Sequence, residues 1–294
     1  MQLEQHYITD RIRRQNTRFS AKQQLIADYL IKNYKRAAFL NSSKLARVLK
    51  ISQATLYRFA VLLGYPGFPE MQLALQEMVL GELTTEDRLD LSTGKIRFKK
   101  ARQRHPQETF EKILMSEIET MRTLLPSLKK ENFARAVEIM FQAERIFIVG
   151  LLGSAALAQY FAYNLRKLRP DVILIQHGDG EDFVRFRMVD PSCAVIVIAF
   201  PRYPRLTVKL AALARKQKTK IIGLTNNVLS PIAPFCDVGF YIETEVTSFM
   251  DPFGAPITMI HALIAEFSQR DMVLTKRRLR DYEEIAKREK LFYP

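Results

Sequence analysis

The stretch NSSKLARVLKISQATLYRFAVLLGYPGF, residues 41–68, decides the fold of the first third of the chain. Asn41 or Ser42 can cap a short helix through Leu49, because their side-chain oxygens accept backbone N–H groups that have no partner inside the helix. A tight turn at Lys50-Ile51 follows. Ser52 then caps a second helix, Gln53 to Leu63, which stops at Gly64, a residue tolerant of left-handed backbone. Leu45, Ala46, Leu49, Ile51, Leu56 and Phe59 fall where a helix-turn-helix needs apolar packing, and Ala46 is small where the second helix crosses. Ser52, Gln53, Ala54, Thr55, Tyr57 and Arg58 are left facing outward.

That outward set has the chemistry of a major-groove reader. Gln pairs bidentately with adenine, Arg with guanine, and the methyls of Ala and Thr meet the thymine methyl. Ser42, Ser43 and Lys44, at a helix N-terminus, suit phosphate. The alternative is a helix pair that only packs, with Arg58 a solvated charge. The distribution of charge favours the DNA reading. Residues 1–105 hold 19 basic against 9 acidic side chains, whereas 106–294 hold 26 against 22, so most of the net +14 sits in the N-terminal third. Such asymmetry points to nucleic acid or an anionic surface.

The remaining composition narrows the class. With 294 residues, 48% of them hydrophobic, the chain has room for two domains, each with its own core. No apolar run reaches the roughly 20 residues of a spanning helix, and the start, MQLEQHYITDRIRR, has no signal-peptide core. Cys193 and Cys236 both adjoin strand-like sequence and read as buried reduced thiols of a cytoplasmic protein. His6, His105, His177 and His261 are scattered without metal-ligand spacing, so no metal or cofactor is expected.

From about Arg145 the pattern changes. Strand-length apolar runs, IFIVGL (146–151), VILIQ (172–176), AVIVIAF (194–200), KIIGLT (220–225) and VGFYIE (238–243), alternate with helical stretches. Alternation of this kind predicts a doubly wound, mostly parallel five-stranded sheet with helices on both faces. A helix from Ala255 to Gln269 and a charged helical tail follow. The expected division is a helical DNA-binding domain over 1–81, an exposed linker over 82–107 with a basic run from Lys95 to Arg104, and an α/β domain over 108–294.

The segments S-Q-A-T-L-Y-R-F and L-G-Y-P-G-F-P-E resemble the MurR/RpiR family of bacterial transcriptional regulators. Ser52, Ala54, Thr55, Arg58, Phe59, Leu63, Gly64, Gly67, Phe68 and Glu70 carry the resemblance. It implies that the second half is a sugar isomerase (SIS) domain, a fold that usually binds phosphosugars. The first strand of such domains usually ends in G-x-G-x-S. Here Gly150 and Ser154 match, Leu152 replaces the middle glycine, and Gly153 lies one position later. Ser154 is expected to cap the next helix, with or without a ligand contact. Thr225 ends another strand, where its hydroxyl can meet a ligand or serve a turn.

The third strand departs most from the resemblance. Where most sugar-phosphate SIS domains carry S-x-S-G-x-T, this chain has Ala199, Pro201, Arg202 and Pro204 at the corresponding positions. Hydroxyls and amides that cradle phosphate are replaced by Arg202, Tyr203 and Arg205 on a frame of two prolines, which have no N–H to donate. These residues are therefore expected to hold a small anionic effector, with a sugar acid or keto acid favoured over a standard sugar phosphate. The bland reading is that both arginines pair with acidic neighbours or lie at a subunit contact. As an enzyme, the domain would need a base near pH 7. His177 with Asp179, Glu181 and Asp182, or His261 with Glu266, are the candidates, and neither set makes a complete constellation. The function expected is a DNA-binding regulator that responds to a small metabolite, the alternative being a sugar-phosphate isomerase with a helical extension. Its partners would be double-stranded operator DNA, an inverted repeat, and a second copy of itself in a homodimer or homotetramer.

Overall fold

The computed structural model describes residues 8–15, 19–93, 106–243 and 248–293. The chain divides into two compact units, Met1–Lys100 and Ala101–Pro294.

The elements described in the first unit are all helices: α1 (Ile8–Gln15), α2 (Ala21–Ala37), α3 (Ser42–Leu49), α4 (Gln53–Leu62), α5 (Phe68–Glu82) and α6 (Thr85–Thr93). Asn41 is the cap of α3, its side chain accepting the Lys44 N–H at 2.9 Å. Lys50 closes the helix in left-handed geometry, φ 52°, and Gly64 does the same after α4 at φ 85°. Ile12, Ile26, Leu30, Leu45, Leu56, Phe59 and Met71 form a shared core. Within the stretch read as linker, the Thr84 N–H donates to Asp87 Oδ2 at 2.9 Å and the Asp87 N–H to Thr84 Oγ1 at 3.0 Å, a capping box that starts α6. Those bonds hold the Asp87 carboxyl below its usual pKa. The basic run from 95 to 104 lies outside the described residues.

The second unit begins with α7 (Pro106–Ser127) and α8 (Lys130–Gln142). The sheet follows, as β1 (Ile146–Val149), α9 (Ala155–Arg166), β2 (Val172–Ile175), α10 (Gly180–Phe186), β3 (Ala194–Ile198), α11 (Arg205–Lys216), β4 (Lys220–Thr225) and β5 (Val238–Tyr241). The chain ends in α12 (Gly254–Arg270) and α13 (Met272–Arg288). Strand order is β2-β1-β3-β4-β5, and all four pairings are parallel, with Ile148 beside both Leu174 and Ile196. The alternation of apolar and helical sequence is thus a fully parallel sheet.

Continuous apolar strands are needed because both faces are covered. Ile146, Ile148, Ile196 and Ile198 join a core with α8, α9 and α12, while Phe147, Val149, Val195 and Val197 join another with α10 and α11. The chain leaves β1 toward β2 on one side and leaves β3 toward β4 on the other. The two crossovers diverge, and a crevice opens between the C-terminal ends of β1 and β3.

Candidate functional site

In the first unit, α3 supports α4 through Ala46 and Leu49, both buried. Leu56, Phe59 and Ala60 of α4 face the core, and Gln53, Ala54, Tyr57 and Arg58 face solvent. The Ser42 hydroxyl donates to Gln53 Oε1 at 3.1 Å. Ser43 and Lys44 are exposed at the N-terminus of α3. Thr55 is a correction: at 8% exposed it does not belong to the outward face. It is the third residue of α4, so its backbone N–H bonds Ser52 Oγ at 3.2 Å and its own hydroxyl lies 2.9 Å from the same oxygen. Ser52 is exposed, but its hydroxyl is occupied by this cap. Val61 is 47% exposed and extends the outward face by one turn from Tyr57 and Arg58.

In the second unit, both loops singled out from sequence flank the crevice. After β1, Gly150 must lack a side chain, since a Cβ there would lie 2.7 Å from both the Ala158 Cβ and the Ser154 carbonyl. Its role is close packing of strand on helix. Ser154 occupies the cap position of α9, but its side chain makes no cap hydrogen bond and is buried. The expected capping bond is absent because the preceding turn, Leu152–Ser154, is already helical in the 3-10 form and leaves Ser154 with φ −73° and ψ −9°. Gly153 faces the segment leading to α12, where a Cβ would lie 3.3 Å from Asp251 Oδ2.

After β3, Arg202 and Arg205 are exposed and Tyr203 is half-buried, its hydroxyl donating to Asn226 Oδ1 in the loop after β4. That bond joins two loops at the same sheet edge. The β1 loop and the start of α11 both approach Gly178, in the loop after β2. A Cβ on Gly178 would touch Leu206 Cδ2 at 3.0 Å and Leu151 Cδ1 at 3.6 Å. Thr225 is buried and donates to Ser230 Oγ at 2.7 Å, so its hydroxyl is spent inside the turn. Sequence reading passed over Thr207, whose Oγ1 in the first turn of α11 is fully buried with no hydrogen-bond partner among the described residues.

The enzyme candidates have structural duties. Asp182 accepts the His177 and Gly178 N–H groups at 2.7 and 2.6 Å, Asp179 caps α10, and Glu181 pairs with Arg185. His261 is hydrogen-bonded to the Tyr160 hydroxyl on the flank of α9 and α12, beside an open depression of about 540 Å³ lined by Asn164 and Thr258. A second concavity, about 230 Å³, lies against β5 and is lined by Leu128, Asn132 and Tyr241. Neither lies at the crevice between β1 and β3, where loops from both crossovers converge. No group of three His, Cys, Asp or Glu side chains that could hold a metal occurs among the described residues. No described helix is long and apolar enough to cross a membrane.

The helix-turn-helix domain of the rpiR family matches residues 7–80, and the SIS domain matches residues 139–266. The chain belongs to the RpiR family. Among its relatives, the uncharacterized HTH-type transcriptional regulator YfhH of Escherichia coli is 25% identical over 289 residues, spanning 95% of this chain and 98% of YfhH. HexR of Escherichia coli, also an HTH-type transcriptional regulator, is 24% identical over 281 residues, 89% of this chain and 88% of its own. The fold is shared with NanR of Vibrio vulnificus, solved with ManNAc-6P, at a TM-score of 0.58 and 19% identity, covering 98% of this chain and all of NanR. YfhH and HexR, similar along most of this RpiR-family chain, both carry the name of HTH-type transcriptional regulators.

Proposed function

We propose that the chain is a transcriptional regulator that reads operator DNA with the outward face of α4. A small anionic metabolite held at the crevice between β1 and β3 then alters that reading. The observation that carries the DNA half is the exposure of Gln53, Ala54, Tyr57 and Arg58 on the second helix of an rpiR-family motif, backed by Ser43 and Lys44 at the start of α3. Hydrogen-bonding side chains supply base readout and the helix N-terminus supplies phosphate contact. Arg202 and Arg205 are the anion contacts, since a guanidinium fork meets a carboxylate bidentately. A sugar acid or keto acid suits the loop better than the sugar phosphate held by NanR, because Pro201 and Pro204 donate no amide.

The protein works as a cytoplasmic homodimer or homotetramer on an inverted repeat, since one helix-turn-helix has little specificity and paired half-sites multiply it. Residues 82–107 connect the two domains. The effector domain binds without catalysis, with Asp182 bracing the loop after β2 and Asp179 capping α10. Binding is tested by anisotropy on the DNA upstream of its own gene against a random fragment, with and without effector. Arg202→Ala should weaken the effector by about 1.5–3 kcal/mol in calorimetry, the usual worth of a charge-assisted contact. Unchanged effector affinity in both Arg202→Ala and Arg205→Ala would reject the site.

A further inference from the structure

The long helix α12 begins without a cap of its own, since Phe253 holds the cap position and makes no side-chain hydrogen bond there. The Gly254 N–H donates instead to Glu117 Oε1 of α7 at 3.2 Å, across 137 residues of chain. A carboxylate suits that place, because the first N–H groups of a helix are unpaired and carry partial positive charge. Gly254 permits the approach: a Cβ there would lie 2.5 Å from Glu117 Oε2 and 3.0 Å from the Met121 Cε, one turn along α7. Just upstream, the Asp251 carboxylate lies at the loop after β1, where a Cβ on Gly153 would be 3.3 Å from its Oδ2. The segment from Asp251 to Gly254 therefore touches the β1 loop at one end and α7 at the other. α7 in turn follows the stretch of chain that joins the two domains.

The second oxygen of Glu117, Oε2, is fully buried without a hydrogen-bond partner among the described residues. A buried polar atom left unpaired costs free energy that is recovered when it opens to water. The contact with Gly254 is thus held against a pull to release, and a small push on its neighbours can tip it. We propose that Glu117 is a positioning residue that couples the crevice to DNA binding. Displacement of the Asp251–Gly254 segment at the β1 loop releases the carboxylate from the start of α12 and frees α7 with it. Coupling of two sites needs an element with two arrangements that both sites bias; here they are Glu117 on the Gly254 N–H and Glu117 in water. A freed α7 no longer fixes where the joining stretch leaves the effector domain, so paired half-sites are read less well. The inference rests on the reading of the chain as an operator-binding regulator with its effector at this crevice.

The test is anisotropy of the full-length protein on the DNA upstream of its own gene and on a random fragment. Glu117→Ala and Gly254→Ala should each weaken binding to the upstream fragment about fivefold or more and leave the random fragment unchanged. Gly254→Ala acts by pushing the carboxylate aside, so it should add nothing in a Glu117→Ala background. Asp251→Ala, which loosens the segment at its crevice end, should weaken operator binding alone and add nothing to Glu117→Ala. Glu117→Gln keeps an oxygen for the Gly254 N–H and should restore most of the affinity. Hydrogen exchange at the Gly254 amide should quicken in Glu117→Ala, and the same samples show whether the rest of the domain stays protected. Faster exchange with wild-type operator affinity would make Glu117 a structural cap and overturn the inference, as would additive losses in the double variants. If Glu117→Ala fails to fold, Gly254→Ala decides alone, and unchanged operator affinity in it would overturn the inference. Wild-type protein that binds the upstream fragment no tighter than random DNA would overturn the regulator reading itself.

Discussion

The Ser42 hydroxyl donates to Gln53 Oε1 across 3.1 Å, tying the first residue of α3 to the first residue of α4. Gln53 therefore reaches the groove face already oriented, its oxygen toward α3 and its amide nitrogen free to turn outward. Gln53→Ala should lose about 1–3 kcal/mol of operator binding, the worth of a bidentate base contact. Ser42→Ala, which removes one hydrogen bond and the orientation it gives, should lose about 0.5–1.5 kcal/mol. Anisotropy on operator and random fragments reads both, and losses of equal size on the two fragments would assign Gln53 to the phosphate backbone.

Arg58 is exposed on α4, one turn after Ala54. Arg58→Ala should relax specificity at a guanine, with the random-fragment affinity little changed. A variant whose salt dependence falls by about one ion while its specificity is kept would show that Arg58 contacts phosphate.

Gly150 is where strand and helix approach most closely, with the Ala158 Cβ and the Ser154 carbonyl each 2.7 Å from the point a Cβ would occupy. Gly150→Ala should cost about 1–3 kcal/mol, the usual penalty of overpacking. A thermal melt of the variant checks this, and wild-type stability would mean that α9 can move away from β1.

Thr207 holds a fully buried hydroxyl without a partner among the described residues. Thr207→Val keeps the shape and removes the unmade bond, so it should stabilise the ligand-free protein by about 1 kcal/mol. A urea midpoint that falls in Thr207→Val would show that the hydroxyl is bonded in solution.

Burial, with the Asp237 charge beside it, pushes the Cys236 thiol from 9.0 up to about 12. Its sulfur lies against Gly223 and donates to the Ile232 carbonyl at 3.3 Å. The unfolded thiol ionises first, so this contribution is fully present below about pH 9 and is lost as pH rises through the window between 9.0 and about 12. Urea midpoints from pH 8 to about 10.5 should therefore fall more steeply for the wild type than for Cys236→Ala. Parallel slopes would refute the shift.

Much of the architecture was legible in local patterns. Caps at Asn41 and Ser52, the left-handed closure at Gly64 and unbroken apolar runs such as Ala194–Ile198 each act within a few residues, so the helix-turn-helix and the five strands can be read directly. Departure of the β3 loop from the hydroxyl-rich pattern was legible for the same reason. Spacing misjudged Thr55, because a period says which residues share a face and not which neighbour covers that face. Only the tertiary structure decided that every strand pair is parallel and that the C-terminal ends of β1 and β3 lie side by side. It also turned the hydroxyls of Tyr203 and Thr225 toward Asn226 and Ser230. Tyr203 and Asn226 lie 23 residues apart, and the bond between them depends on β3 and β4 being neighbours. Strand order follows from how whole faces are buried against one another, an interaction summed over the sheet that no short segment encodes.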